Sequence, residues 1–363
     1  MIRRVGAGGG QAVASKAGGY TKLACQRPSG FRSDGASARG GAAAESSHHR
    51  RADRPVNRPA FPIGRDRVGF ATASLRGSLE DVLRLVNLDG RVGLDMAGRF
   101  VDLAQHSDNR FSPDPMAVFS EWEAIRRFAS EQTVDAAGPL IEPARLGPPV
   151  PRPTQVFAIG LNYRDHAEEA KLPIPDVPMV FTKFPTCLAG PTADIPLTGD
   201  RVDWEVEQVV VIGKQARHVS AAEAWDVVAG FCVGQDVSDR RLQFAGKPPQ
   251  FSLGKSAEAF GPFGPALVSL DEFSDPDALS LRCWVDGELM QASTTENLIF
   301  SVPELIEYIS RYCVLEPGDL IFTGTPGGVG SVREPRRYLA PGELVESEIE
   351  GIGRLSNRCV GLD

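Results

Sequence analysis

One segment of the sequence places three carboxylates at alternate positions. Asp203, Glu205 and Glu207 stand just before the apolar run Val209–Ile212. Alternate residues of a β-strand share a face, so the three acidic side chains are expected to project together. On an internal strand they need a cation or strong hydrogen-bond donors to stay ionised. All-oxygen ligands favour a hard divalent ion, Mg²⁺ first and then Mn²⁺ or Ca²⁺; the alternative is a solvated acidic strand edge.

A further acidic residue ends a second apolar strand. Asp236 follows the run Gly230–Gly234, at the point where the chain is expected to turn out of the sheet. This position is suited to completing a Glu/Glu/Asp set with Glu205 and Glu207. The sequence therefore predicts a site for one divalent metal ion.

An acid–base pair follows an earlier strand. His166 and Glu169 come soon after the strand Val156–Ile159, and their i, i+3 spacing puts them on one face of a helical turn. A carboxylate that orients an imidazole gives a general base near neutral pH. The alternative is a surface helix with a histidine that takes no part in chemistry.

Short strands and few helices surround these residues, which indicates an α+β class. Ser220–Glu223 is a capping box that predicts a helix to about Ala229, closed by Gly230. A second box, Ser301–Glu304, predicts a helix over Glu304–Tyr312. The apolar runs interpreted as strands are Val156–Ile159, Met179–Phe181, Val206–Ile212, Phe231–Val233, Ser280–Val285 and Leu320–Phe322. No glycine-rich nucleotide-binding motif is present, which argues against a nucleotide cofactor.

Composition narrows the class of protein. Residues 1–60 hold 11 Lys and Arg against 3 Asp and Glu, a net charge of +8. The whole chain has 39 Lys and Arg and 47 Asp and Glu, which leaves 28 basic and 44 acidic residues after residue 60, a net charge of −16. Nucleic acid is therefore not an expected partner of the folded part. The longest apolar runs are strand-sized, which argues against a membrane span. The six cysteines lie far apart and are expected to be reduced, as in a cytoplasmic protein.

Three regions are expected along the chain. Residues 1–67 form a basic extension rich in Gly, Ala, Ser and Arg, interpreted as disordered, with an organellar transit peptide as the alternative to a segment without function. Residues 68–150 form a small α/β domain with a strand at Val68–Ala73 and a helix opening at Ser78. A hairpin is predicted at Arg91–Asp95 and Arg99–Leu103, followed by a helix with Asp114 as its N-cap and one apolar face. Residues 151–363 form the catalytic domain, joined by a proline-rich linker.

Six ordered motifs give the chain a resemblance to the fumarylacetoacetate hydrolase family from about Val156 to Gly330. The region 68–150 resembles the amino-terminal domain of many bacterial members. The matching phrases are Ile159–His166, Phe181–Lys183, Asp203–Glu207, Gly234–Arg240, Ser252–Pro262 and Thr323–Gly330. The pattern departs from the family at Gln208, Ala257 and Ala259, and the alanines are expected to alter the shape of the pocket.

The resemblance implies a mixed β-roll catalytic domain, a homodimer and a bound Mg²⁺ or Mn²⁺. By motif match, Glu205, Glu207 and Asp236 are the metal ligands, with Asp203 as a neighbour, and His166 and Glu169 are the catalytic pair. The residues implied to face the carboxylate and keto oxygens of the substrate are Lys183, Arg240, Gln243, Lys255 and Thr325.

The implied activity is Mg²⁺-dependent hydrolysis of a C–C bond in a small diketo acid of the acylpyruvate type, through a metal-bound enolate, in the catabolism of aromatic or sugar acids. Chelation by the 2-oxo acid polarises its ketone and stabilises that enolate. Because the same enolate serves several reactions, three alternatives stay open. They are an isomerase of 2-hydroxyhepta-2,4-diene-1,7-dioate, an oxaloacetate decarboxylase or tautomerase, and a non-catalytic keto-acid-binding protein.

The basic extension yields the first testable prediction. Its composition offers neither a core nor a motif. A protein that starts near Val68 should therefore keep full activity and an unchanged melting temperature in a thermal unfolding assay. A loss of several degrees, or of self-association, would show that the extension contributes to the fold.

Overall fold

The structure, a computed structural model, describes residues 83–133 and 138–362. Strands dominate the described residues and the helices are short, which confirms the predicted α+β class. The strands are β1 (Arg84–Leu88), β2 (Arg91–Met96), β3 (Arg99–Asp102), β4 (Leu146–Gly147), β5 (Val156–Gly160), β6 (Met179–Thr182), β7 (Leu188–Ala189), β8 (Ile195–Leu197), β9 (Val202–Asp203), β10 (Val206–Ile212), β11 (Val228–Gln235), β12 (Ser238–Asp239), β13 (Gly261–Ser269), β14 (Ser280–Val285), β15 (Glu288–Thr294), β16 (Leu320–Phe322), β17 (Leu344–Ile349) and β18 (Gly353–Gly361). The α-helices are α1 (Leu103–His106), α2 (Trp122–Ser130), α3 (Arg164–Glu169), α4 (Arg240–Gln243), α5 (Phe251–Gly254) and α6 (Val302–Ser310).

The strands form two main mixed sheets. The large sheet has the order β3-β2-β1-β13-β11-β10-β16-β5-β6, with β4 added to β1 and β7 to β13. The second sheet has the order β15-β14-β17-β18-β8, and β9 pairs separately with β12. Most neighbours are antiparallel, whereas β16 and β5, β13 and β7, and β18 and β8 run parallel.

Strand β10 lies inside the large sheet, between β11 and β16, and both of its faces are covered. Val209 and Val211 pack in one apolar cluster with residues of β1–β3 and α2. Val210 and Ile212 pack in the other, with residues of the second sheet. Burial on both faces explains the continuous apolar run, because alternation is lost when neither face meets water. The alternative of a solvated acidic edge is therefore wrong for this strand.

The described part of the amino-terminal region joins the large sheet. Strand β1 pairs antiparallel with β13, Leu85 opposite Leu267, and the predicted hairpin of β2 and β3 is confirmed. The regions 83–133 and 156–362 thus share one sheet, while the predicted boundary at residue 150 stays a prediction. The strand at Val68–Ala73, the helix opening at Ser78 and the basic extension lie outside the described residues.

The predicted helix after Asp114 is divided in two. Asp114 caps a 3-10 helix, Pro115–Ser120, by accepting a hydrogen bond from the Met116 N–H at 3.0 Å, and α2 follows. The apolar face that was predicted for this segment packs in the cluster with β1–β3. Among the described residues no helix is both long and apolar enough to cross a bilayer.

One capping box opens a shorter helix than the predicted one, and of the 3-10 type. The box at Ser301 opens α6 as expected. The box at Ser220 opens a 3-10 helix, Ala221–Val227, and Gly230 lies inside β11 instead of closing a helix. A side-chain carbon on Gly230 would overlap the backbone carbonyl of Val268 on β13. This glycine therefore serves the close approach of two strands, which a one-dimensional pattern does not show.

The contact at Gly230 can be tested by substitution. Gly230→Ala should lower the free energy of unfolding by about 1–3 kcal/mol, because the Val268 carbonyl is backbone and moves only with its strand. Urea denaturation measures the change. Gly199→Ala is the matched control, since the nearest atom to its added carbon lies 3.8 Å away, and it should shift the value by less than about 0.5 kcal/mol. Equal stability of the two variants would show that the strands are not closely packed there.

Candidate active site

Three buried carboxylates meet where β10 and β11 lie side by side. Glu205 immediately precedes β10, Glu207 belongs to it, and Asp236 follows β11. The antiparallel pairing brings the Asp236 N–H to the Glu205 carbonyl at 2.9 Å. One oxygen from each of the three carboxylates lies within 4.8 Å of the others. Opposite ligands of one Mg²⁺ are about 4.2 Å apart and those of one Ca²⁺ about 4.6–5.2 Å, so the oxygens fit a single divalent ion.

Two cations neutralise Glu205. The Lys255 Nζ lies 2.6 Å from Glu205 Oε2 and 2.7 Å from Asp236 Oδ2, and the Arg240 Nη2 lies 2.6 Å from Glu205 Oε1. Burial alone would raise the pKa of Glu205, but Lys255 and Arg240 lower it to about 2. This carboxylate is therefore ionised at neutral pH.

Glu207 has a different environment. Its Oε2 accepts a hydrogen bond from the Gly324 N–H at 2.8 Å. Burial, together with the carboxylates of Asp236 and Glu205, raises its pKa well above the usual value. A divalent cation among the three carboxylates would remove this destabilisation, because it would stabilise the ionised form. The electrostatics of the cluster and the spacing of its oxygens thus suit the same ligand.

Asp203 supports Arg240 and a neighbouring loop. It accepts hydrogen bonds from Arg240 Nε at 2.8 Å and from the N–H groups of Gly330 at 2.7 Å and Ser331 at 3.0 Å. The sequence predicted that it would share a face with Glu205 and Glu207. Asp203 therefore holds the guanidinium of Arg240 and the loop at Gly330. It is not one of the three carboxylates whose oxygens could bind a metal.

The predicted acid–base pair lies on α3, which begins four residues after β5. The distance from His166 Nδ1 to Glu169 Oε2 is 3.9 Å, longer than a hydrogen bond. Glu169 Oε2 instead accepts from the Gly328 N–H at 2.7 Å. The imidazole and then this N–H hold the pKa of Glu169 below its usual value, against the effect of burial. His166 Nδ1 is buried with no hydrogen-bond partner among the described residues.

A cavity of about 200 Å³ brings most of the predicted residues together. His166 faces it, as do Glu205 and Glu207 from the carboxylate cluster. The Thr325 hydroxyl donates to the Val206 carbonyl at 2.9 Å, which fixes the hydroxyl beside the first residue of β10. The predicted substrate-binding residues in the lining are Arg240, Gln243, Lys255 and Thr325.

Lys183, the remaining residue predicted to bind substrate, lies beside Asp236. It is absent from the cavity lining and almost fully buried. Its Nζ lies 2.6 Å from Asp236 Oδ1 and donates to the carbonyls of Phe260 and Lys255. Asp236 raises the pKa of Lys183, although burial opposes this. These contacts show that Lys183 supports Asp236, and its contact with substrate oxygens stays a prediction.

Sequence reasoning missed two residues that hold the site together. Gln291 on β15 accepts from the Val206 N–H at 3.0 Å and donates to Thr325 Oγ1 at 2.7 Å. Asp165 accepts from Ser293 Oγ at 2.6 Å and from the Gly327 N–H at 3.3 Å. Asp165 stands beside His166 in a matching motif, which is the one signal that could have identified it. Gln291 has no such signal, since its partners are distant in sequence.

The metal site yields a direct prediction. Glu207→Gln keeps the shape of the side chain and removes a charged ligand, so the affinity for Mn²⁺ should fall by more than the roughly 10–100-fold typical of a supporting residue. Isothermal titration with Mn²⁺ measures the affinity, and circular dichroism checks that the fold is kept. Glu288→Gln, an exposed carboxylate on β15, is the control and should bind like the parent. Unchanged affinity in Glu207→Gln would remove this residue from the proposed ligand set.

Comparison with known proteins extends over most of the described chain. Residues 155–360 match the family described as Fumarylacetoacetate (FAA) hydrolase C-terminal. The oxaloacetate tautomerase Fahd2a, mitochondrial, of Rattus norvegicus is 40% identical over 279 residues, which are 74% of this chain and 87% of that protein.

Solved structures share the fold. A Mycobacterium smegmatis protein provisionally called HpcE has a TM-score of 0.74 at 47% identity, and covers 77% of this chain and 100% of its own. Maleylpyruvate hydrolase from Sphingobium sp. SYK-6, in complex with manganese (II) and pyruvate, has a TM-score of 0.64 at 27% identity, with the same coverage. The mixed sheets and short helices are of the same type. The chain belongs to the fumarylacetoacetate hydrolase family.

Proposed function

We propose that this protein is a divalent-metal-dependent tautomerase that exchanges the enol and keto forms of a small 2-oxo acid of the oxaloacetate kind. One observation carries the proposal. His166 faces the same cavity as the carboxylate cluster, and its Nδ1 is unpartnered among the described residues, while Glu169 is bonded to the Gly328 N–H. A single imidazole suffices for moving a proton between carbon and oxygen. The name of the rat relative supports the same reaction.

The charges of the site suit a 2-oxo acid. Four carboxylates and three cations are buried together, a net charge of −1 when all are ionised. A divalent ion changes this to +1, which favours the binding of an anionic substrate. The residues counted are Asp203, Glu205, Glu207, Asp236, Lys183, Arg240 and Lys255.

Different side chains of the site have different roles in the proposed reaction. A divalent cation held by Glu205, Glu207 and Asp236 supplies positive charge that stabilises the negative charge of an enolate. Arg240 and Lys255 bind the substrate carboxylate and fix the acid in one orientation. His166 takes a proton from the carbon beside the ketone and gives it to the oxygen of the resulting enolate, which forms the enol. The reverse transfers restore the keto form, so the two forms exchange without a net change in protons.

Hydrolysis of a C–C bond in an acylpyruvate is a second candidate, favoured by the position of Glu169. At 3.9 Å from His166 Nδ1, it could reach hydrogen-bond distance with a small movement of either side chain. The pair would then activate a water molecule for attack on the distal carbonyl. One of the solved relatives is named as a hydrolase, maleylpyruvate hydrolase.

Two variants separate these reactions. His166→Ala should lower the turnover of tautomerisation by about 10²–10⁴-fold, the usual contribution of a positioned base. Glu169→Gln should lower it by less than about tenfold, because His166 acts without a hydrogen bond to Glu169, yet it should abolish any acylpyruvate hydrolysis. Decay of the ultraviolet absorbance of enol oxaloacetate measures the first activity, and loss of acetylpyruvate absorbance measures the second.

The control is Glu168→Gln, the exposed neighbour of Glu169 on the same helix, which should keep both activities. Mn²⁺ affinity should stay unchanged in all three variants, since the carboxylate ligands lie on other elements. If Glu169→Gln and His166→Ala lose tautomerisation equally, and the double variant loses no more, the two residues act as one unit and the lone-imidazole mechanism is wrong.

The implied homodimer and the cytoplasmic location stay predictions. Multi-angle light scattering of the full chain tests the first. Imaging of the full chain and of a chain without residues 1–67 tests the second.

A further inference from the structure

The cavity has a polar floor and an apolar mouth. The charged floor residues Glu205, Glu207, Arg240 and Lys255 are each less than a tenth exposed. Three apolar side chains in the same lining are far more exposed: Leu172 by 53%, Met179 by 44% and Phe244 by 56%. Large apolar side chains exposed around a cavity commonly mark a surface that binds a ligand.

Aromatic rings connect the floor to the mouth. The Lys255 Nζ lies 5.4 Å from the centre of the Phe181 ring, beside the carboxylate cluster. Phe251 stands edge-on to Phe181 at 5.4 Å, and Phe244 lies 6.4 Å from Phe251. Met179 extends the same surface, and its methyl group fills the space that a side chain at Gly160 would occupy. We call Phe181, Phe251, Phe244 and Met179 the aromatic wall.

The positively charged side chains that line the cavity lie at its floor, where they are paired with a carboxylate. Among the described residues that line the cavity, the Lys and Arg side chains are Arg240 and Lys255, and both are paired with Glu205. A carboxylate beside the aromatic wall would lose water without gaining a charged partner, which is unfavourable. An alkyl or aryl group there would bury apolar surface against the rings instead.

We propose that the aromatic wall is a subsite for the distal end of the substrate, and that it selects 2-oxo acids whose distal group is apolar or too short to reach it. The inference rests on the proposed function, because the 2-oxo carboxylate must sit on the floor for the distal end to meet the wall. The two carboxylates of oxaloacetate are separated by one ketone and one methylene group, so both stay near the floor. A seven-carbon dioate would place its second carboxylate against the wall and is disfavoured.

A matched pair of ligands isolates the distal end. 2-Oxohexanoate and 2-oxoadipate have the same six-carbon chain and the same 2-oxo acid head, and differ in a terminal methyl against a terminal carboxylate. Pyruvate carries the head alone. Titration calorimetry on the full-length protein loaded with Mn²⁺ should show that 2-oxohexanoate binds at least about tenfold tighter than pyruvate, since each buried methylene contributes about fourfold. 2-Oxoadipate should bind no tighter than pyruvate.

A charge placed on the wall should reverse this order. Phe244→Arg changes an exposed ring, so the fold should survive. It should tighten 2-oxoadipate by about tenfold and weaken 2-oxohexanoate, each measured relative to pyruvate. Tyr312→Arg is the control, an aromatic residue 71% exposed and outside the cavity lining, and it should change none of the three affinities.

The outcomes separate the two claims. If pyruvate binds the Mn²⁺-loaded protein but 2-oxoadipate binds as tightly as 2-oxohexanoate, or Phe244→Arg leaves their order unchanged, the subsite is overturned and the proposed function stands. If pyruvate does not bind in a metal-dependent way, the proposed function fails and the subsite fails with it.

Discussion

The crowding of like charge at the ends of β10 and β11 is the constraint on which the rest of the structure depends. Glu205, Glu207 and Asp236 lie within a few ångströms of one another, and each is less than a tenth exposed. Isolated buried carboxylates are too costly to stay ionised, so each needs a cation or fixed donors. Lys183, Lys255 and Arg240 meet this need for Glu205 and Asp236 from three separate segments of the chain, whereas Glu207 accepts from the Gly324 N–H.

The same requirement organises the loop after β16. Its N–H groups at Gly324, Gly328 and Gly330 each point to a carboxylate, respectively of Glu207, Glu169 and Asp203. At Gly324 the backbone has a φ of +103°, a conformation that a side chain would strain. The loop thus contacts Glu207 on β10, the carboxylate that holds Arg240, and the helix that carries His166. Its glycines allow backbone donors to approach acidic side chains closely.

Much of this arrangement could be predicted from the sequence, and the limits have physical causes. Local patterns succeed where they depend on neighbouring residues, as in the bounds of β10, the capping box of α6 and the N-cap at Asp114. They fail where a distant segment decides. Gly230 allows β13 to approach β11 closely, and the ammonium group of Lys183 donates to acceptors more than 50 positions away. Glu169 accepts a hydrogen bond from the Gly328 N–H and not from His166 on its own helix. In each case the residue could be identified in the sequence, but its partner in the fold could not.

The floor and the mouth of the cavity are built from different kinds of structure, and this division has a consequence for divergence. The carboxylates belong to strands in the middle of a sheet, where a change disturbs two cores at once. Phe244 and Phe251 lie at the ends of four-residue helices, α4 and α5, on a surface that tolerates exchange. Mutation can therefore remodel the mouth while the carboxylate cluster is inherited intact. A family built this way can acquire new substrates without inventing a new reaction.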